Sequence, residues 1–97
     1  MFYYTYVLKS EKDSNYYIGF TKDLEQRFEK HNKGQVESTK NRRPFKLIYF
    51  EAYSRIDEAF YREKQIQGWN RKKKEALMNG ESYLLSKLAK KIFSNKK

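Results

Sequence analysis

Glu63 sits where a charge is least expected. At about 100° per residue, Ile56, Ala59, Phe60, Ile66 and Gln67 fall on one helical arc, and Glu63 lies inside it. A carboxylate aimed at a core must be paired, protonated or bound to a metal. An earlier stretch repeats the pattern: Leu24, Phe28 and His31 share a helix face, with Arg27 at its edge one turn from His31. Arginine offers a fixed positive fork for a phosphate, and histidine holds or moves a proton near neutral pH. Tyr4 and Tyr6 alternate onto one side of a strand-like segment, and a hairpin brings Tyr17 beside them. Gly19 ends the second segment, where a missing side chain permits close approach of a backbone or ligand. Two readings stand at this level. One is an ion-paired acid and a satisfied core imidazole; the other is a single polar basin suited to phosphate chemistry.

The elements that must position these groups can be read from punctuation and periodicity. Phe2 to Leu8 is rich in aromatic and β-branched residues and predicts a strand. Polar residues 9–15 form a turn, and Tyr16 to Phe20 is the return strand of a hairpin. Thr21 is the expected N-cap of a helix running to about Asn32, with Gly34 as its stop. A basic loop over 34–44 leads to a third strand, Lys46 to Ala52. Ser54 is the expected cap of a helix from about Arg55 to Gln67, ended by Gly68. Arg71 to Met78 is a short basic helix stopped by Asn79-Gly80, and Glu81 to Phe93 is a last amphipathic helix carrying Leu84, Leu88 and Ile92. The expected fold is α/β, in the order β-β-α-β-α-α-α. It has a small mixed or antiparallel three-stranded sheet flanked by helices.

The chain has 97 residues, enough for one domain but not for two cores. Nine Tyr and seven Phe compensate for a hydrophobic content of 38%, because each buried ring hides about 150–250 Å². Cysteine is absent, which excludes disulfides and thiolate metal sites. No apolar run approaches the ~18–20 residues of a membrane span, so no membrane partner and a cytoplasmic location are expected. Formal charge is +10 and uneven: residues 1–61 carry 11 Lys or Arg against 9 Asp or Glu, and residues 62–97 carry 11 against 3. A basic half of this kind suits a polyanion or serves as a solvated surface.

Taken in order, these residues resemble the GIY-YIG nuclease family, in particular its small stand-alone members. Tyr4-Thr5-Tyr6 stands where members have Gly-Ile-Tyr, Tyr17-Ile18-Gly19 matches the second triplet literally, and Arg27 follows. His31 occupies a position where members have His or Tyr, and Glu63 is the lone acid of the later helix. The stretch from Arg42 to Tyr49, Gly68-Trp69 and the segment Arg71 to Met78 also look like that subfamily. The first triplet departs from the pattern by lacking its Gly and Ile. Asn70 lies near the place of a further polar residue, but that role is not carried onto it.

The resemblance implies a nuclease-like domain over residues 1–80, with residues 81–97 packing on it as a helix. It implies a metal-dependent endonuclease in DNA repair or processing, with Tyr6, Tyr17, Arg27, His31 and Glu63 as catalytic residues and Glu63 as the ligand for Mg²⁺ or Mn²⁺. The base would be a tyrosinate, Tyr6 or Tyr17, whose pKa neighbouring positive charge lowers. Nucleic acid, DNA ahead of RNA, would be gripped by Lys22, Lys40, Arg42, Arg43, Arg71, Lys72, Lys73 and Lys74, with the protein a monomer ahead of a weak homodimer. The rival reading is a binding module of the same fold that has lost catalysis.

Overall fold

The computed structural model describes residues 1–79. Three strands, β1 (Tyr3–Ser10), β2 (Tyr16–Thr21) and β3 (Phe45–Tyr53), alternate with helices α1 (Leu24–Asn32), α2 (Ile56–Gln67) and α3 (Arg71–Met78). The sheet order is β2-β1-β3 and both pairings are antiparallel, which resolves the expected mixed or antiparallel sheet. β1 is central, and Tyr4 to Leu8 are buried without a break because both faces of this strand are covered. On one face Tyr6, Leu8 and Phe45 pack with Leu24 and Phe28 of α1. On the other, Val7 and Ile18 pack with Ile66 of α2, together with Trp69 and Leu77. The final helix expected over Glu81–Phe93, and with it the docking of residues 81–97, lies outside the described residues.

Boundaries differ from the sequence reading for identifiable reasons. β1 continues to Ser10 because Lys9 and Ser10 keep partners in Lys46 and Phe45. Thr21 does not cap α1, since it closes the β1–β2 ladder opposite Tyr4. Asp23 caps instead, its carboxylate accepting the Gln26 N–H at 3.0 Å. β3 starts one residue early because the Asn32 side chain brackets Phe45, accepting its N–H at 2.7 Å and donating to its carbonyl at 3.2 Å. Ser54 is not the cap of α2; Arg55 holds that position without a side-chain bond. Asn70 is a structural cap, its amide oxygen accepting the Lys73 N–H at 2.8 Å to start α3. Within the basic loop, Lys40–Arg42 form a single tight helical turn.

One buried ion pair fastens α2 to the sheet. Glu51, only 6% exposed on β3, receives both Nε of Arg62 at 2.8 Å and Nη2 at 3.0 Å. The Tyr49 and Tyr53 hydroxyls also donate to Glu51, and the Arg62 guanidinium lies 5.0 Å from the Trp69 ring. Burial pushes the Glu51 carboxyl up, but Arg62 and the two phenols outweigh it and hold the group below its usual range. Burial and the Glu51 charge push both phenols well above theirs. Elsewhere along α2, the Thr5 hydroxyl donates to the Ala59 carbonyl at 2.8 Å.

Removing one partner of such a pair strands the other. Arg62→Met should therefore cost about 3 kcal/mol in urea unfolding. The double variant Glu51→Leu/Arg62→Met should recover most of that loss. Additive losses would show that the pair is not coupled.

Candidate active site

Tyr6 points from the central strand toward β2, and Gly19 is its partner in the ladder. A Cβ at Gly19 would lie 2.5 Å from the Tyr6 hydroxyl oxygen, closer than real contacts allow. The phenol thus occupies the space that glycine leaves, at the sheet edge formed by β2. Three groups from α1 and β2 gather there. The Tyr6 hydroxyl lies 3.0 Å from His31 Nε2. The Tyr17 ring is 4.9 Å from the imidazole and 6.4 Å from the Tyr6 ring. The Arg27 guanidinium reaches both phenols, whose hydrogen bonds, Tyr6 first, push its pKa up.

Glu63 approaches from the opposite layer. Phe60 packs edge-on against Phe20 at 5.5 Å, and the Gln67 amide donates to the Ile18 carbonyl at 3.3 Å. Glu63 lies between these two along α2. Its charge is felt at Tyr6, where it adds to the factors raising the phenol pKa. Glu63 is 7% exposed, and its Oε2 is buried with no hydrogen-bond partner. The nearest cation, exposed Lys64, is 3.7 Å away, beyond hydrogen-bond length. The ion pair weighed against a functional Glu63 is thus this long contact with Lys64, while its neighbour Arg62 makes the close two-toothed pair with Glu51. The expected stripe is buried at Ala59, Glu63 and Ile66, whereas Ile56 and Phe60 overhang the sheet, 53% and 39% exposed.

Electrostatics refine two expected roles. Tyr6 is not a tyrosinate: burial pushes its pKa up to about 12, outweighing Arg27, which acts to lower it. His31 is 0% exposed, and burial followed by the Arg27 charge pushes it down to about 4, so the imidazole is neutral at physiological pH. His31 lies behind the Tyr6 hydroxyl, shut off from solvent. Its other nitrogen, Nδ1, is 2.8 Å from the hydroxyl of Thr39. Thr39 is buried and comes from the basic loop, where nothing in its polar surroundings marked it.

The basic residues divide into tied and open ones. Arg42 pairs with Asp13 at 3.1 Å, Arg43 Nε bonds the Lys40 carbonyl at 2.8 Å, and Lys40 pairs with Glu37 at 3.2 Å. Arg71 donates to the Ser14 carbonyl at 2.9 Å and covers the Tyr16 ring at 4.8 Å. Lys73 stacks over Trp69 at 4.4 Å. Lys22 and Lys72 are exposed and Lys74 is half-buried.

A family model for the GIY-YIG catalytic domain matches residues 2–79, all but the first of the described residues. The chain belongs to the GIY-YIG nuclease family. A UPF0213 protein of Staphylococcus saprophyticus is 42% identical over 78 residues, covering 79% of this chain and 94% of the relative. A UPF0213 protein of Staphylococcus aureus is 42% identical over 77 residues, covering 78% and 93%. The solution NMR structure of a UPF0213 protein from Bacillus halodurans is 34% identical with a TM-score of 0.55, covering 86% of this chain and 90% of that one. The three-stranded α/β architecture is thus of the GIY-YIG type found in small UPF0213 proteins. No helix among the described residues is long and apolar enough to cross a membrane.

Folding depresses the His31 pKa from 6.5 to about 4, so the unfolded chain takes up the proton first as pH falls. The stability His31 contributes is complete above pH 6.5 and is lost progressively down to about pH 4. Its full size is about 3 kcal/mol. Urea unfolding at pH 7 and pH 4.5 should show a steeper acid loss in the wild type than in His31→Gln. Parallel losses would mean that His31 titrates normally.

Proposed function

We propose that this chain is an endonuclease that hydrolyses nucleic-acid phosphodiesters, DNA ahead of RNA, by a one-metal mechanism in DNA repair or processing in the cytoplasm. The observation that carries this reading is Glu63, a buried carboxylate with an unbonded oxygen whose charge is felt at Tyr6, the phenol around which Tyr17 and Arg27 gather. Mg²⁺ or Mn²⁺ fits that donor. Among the described residues no three His, Cys, Asp or Glu side chains gather. Mg²⁺ is commonly held by one or two carboxylates while keeping several waters. Bound at Glu63, the ion supplies Lewis acidity to the phosphate and the leaving 3′ oxygen.

The chain's own residues carry the rest. Arg27 binds a non-bridging phosphate oxygen with the guanidinium that already faces both phenols. Tyr6 acts as a neutral phenol: its oxygen takes a proton from the attacking water as its own proton passes to His31 Nε2, 3.0 Å away. Arg27 is the second cause of the weak basicity of His31, so a phosphate paired with Arg27 offsets part of that penalty. Tyr17, against the imidazole, walls the basin and orients the water or phosphate. The products are a 3′-hydroxyl and a 5′-phosphate. Lys72, Lys74 and Lys22 hold the flanking backbone as a non-specific electrostatic grip.

Glu63→Gln removes the charge while keeping the shape. Cleavage of labelled linear, flapped and branched DNA with Mg²⁺ or Mn²⁺ should fall by about 10²–10³-fold or more, with substrate binding retained. Arg27→Ala should harm binding and cleavage together. Wild-type rates from rigorously purified Glu63→Gln would sink the one-metal assignment, whereas wild-type protein that binds these substrates and cleaves none would leave the binding-module reading. Separately, Lys72→Ala/Lys73→Ala/Lys74→Ala should weaken all substrates alike and flatten the salt slope by about one unit for each phosphate no longer neutralised. An unchanged slope would make this run plain solvated surface.

A further inference from the structure

The Tyr6 hydroxyl is buried and has two polar neighbours of opposite capacity. Arg27, the charged neighbour of the phenol, carries only donors and cannot receive the phenol proton, which must go elsewhere. Among the described residues, the acceptor within hydrogen-bond distance is His31 Nε2 at 3.0 Å. That nitrogen must then carry a lone pair, and in a neutral imidazole the proton sits on Nδ1. Nδ1 faces the Thr39 hydroxyl at 2.8 Å, and that hydroxyl donates onward to the Val36 carbonyl at 3.4 Å. Both ends of the chain therefore impose one direction. Protons run from Tyr6 to Nε2, and from Nδ1 through Thr39 to Val36.

We infer that Thr39 is a positioning residue that sets the tautomer of His31, and through it the polarity of the Tyr6 hydroxyl. This rests on the nuclease reading for its catalytic consequence. Without the Thr39 oxygen, a buried Nδ1–H has no acceptor, and the imidazole proton moves to Nε2. Nε2–H then donates to the phenol oxygen. The phenol proton turns outward, and the oxygen that should receive a proton from water presents one instead. The residue acts through His31, as partners that orient a functional imidazole do.

The chain has one histidine, so its ring nitrogens are observed without ambiguity. Long-range ¹H–¹⁵N spectra of the histidine-labelled full chain at pH 7 should show Nδ1 protonated and Nε2 bare in the wild type and in Thr39→Ser. Thr39→Val should show the proton on Nε2. In cleavage assays Thr39→Val should lose about 10- to 100-fold in kcat with little change in KM, and Thr39→Ser should retain most of the rate. A wild-type imidazole protonated on Nε2 overturns the proposal, even if Thr39→Val fails to fold. So does a folded Thr39→Val that keeps Nδ1 protonated or cleaves at the wild-type rate. A wild-type chain that cleaves nothing overturns the nuclease reading and the catalytic consequence, while the tautomer is still decided by a spectrum that needs no turnover.

Discussion

The Tyr6 hydroxyl rests where Gly19 has no side chain, and this contact joins the two layers of the protein into one site. Tyr6 belongs to the face covered by α1, and Glu63 to the helix on the opposite face. A sheet normally keeps such groups apart, since alternate residues point to opposite sides and the backbone lies between. Here the phenol crosses over its ladder partner to the edge of β2, and α2 runs along that edge from Phe20 to Ile18. With a Cβ at position 19, 2.5 Å from the hydroxyl, the phenol could not stay. Its bond to His31 and its place beside Arg27 would go with it.

The same constraint explains how a small domain tolerates a buried carboxylate whose one ion pair, with exposed Lys64, is long. A buried charge of this kind destabilises, and α2 must be held by something other than Glu63 itself. The preceding residue provides it. Arg62 makes a two-toothed bond to Glu51, covers Trp69, and pins the helix to β3, while Thr5 and Gln67 bond it to β1 and β2. Neighbouring residues on one helix point about 100° apart. A helix rotated so that Arg62 meets β3 therefore presents Glu63 to the β2 edge. Fixing the one side chain aims the other, and the carboxylate oxygen Oε2 stays without a hydrogen-bond partner.

What the sequence made legible follows from which signals are local. The strands, the helices up to Met78 and the inward positions of Glu63 and His31 rest on periods of two and 3.6 residues, and these survived into the fold. The capping of α1 did not, because Thr21 was already committed to the ladder with Tyr4, a contact invisible to local propensity. The start of β3 at Phe45 depends on Asn32, thirteen residues earlier. Thr39 was illegible for the same reason: it is one hydroxyl in a polar loop, and its meaning comes from an imidazole eight residues before it. Glu51 is the nearest miss, since a carboxylate between Phe50 and Ala52 on a strand carries the same kind of signal that singled out Glu63.

Net charge was legible as a number but not as a surface. Arg42, Arg43 and Arg71 bond backbone carbonyls or acids of the fold, so a good part of the positive charge is structural before any ligand arrives. Arginine suits that task, because its planar fork can bond the protein with one edge and keep the other outward. Lys72 and Lys74 have no such anchoring geometry, and a lysine on a flexible stem suits a backbone whose phosphates vary in position. The division has a mechanical consequence. The anchored arginines fix the loop that carries Thr39, and so stabilise the hydrogen bonds behind Tyr6. The positive charge thus divides into cations bonded within the fold and cations left outside such bonds, although the sequence presents them as one basic excess.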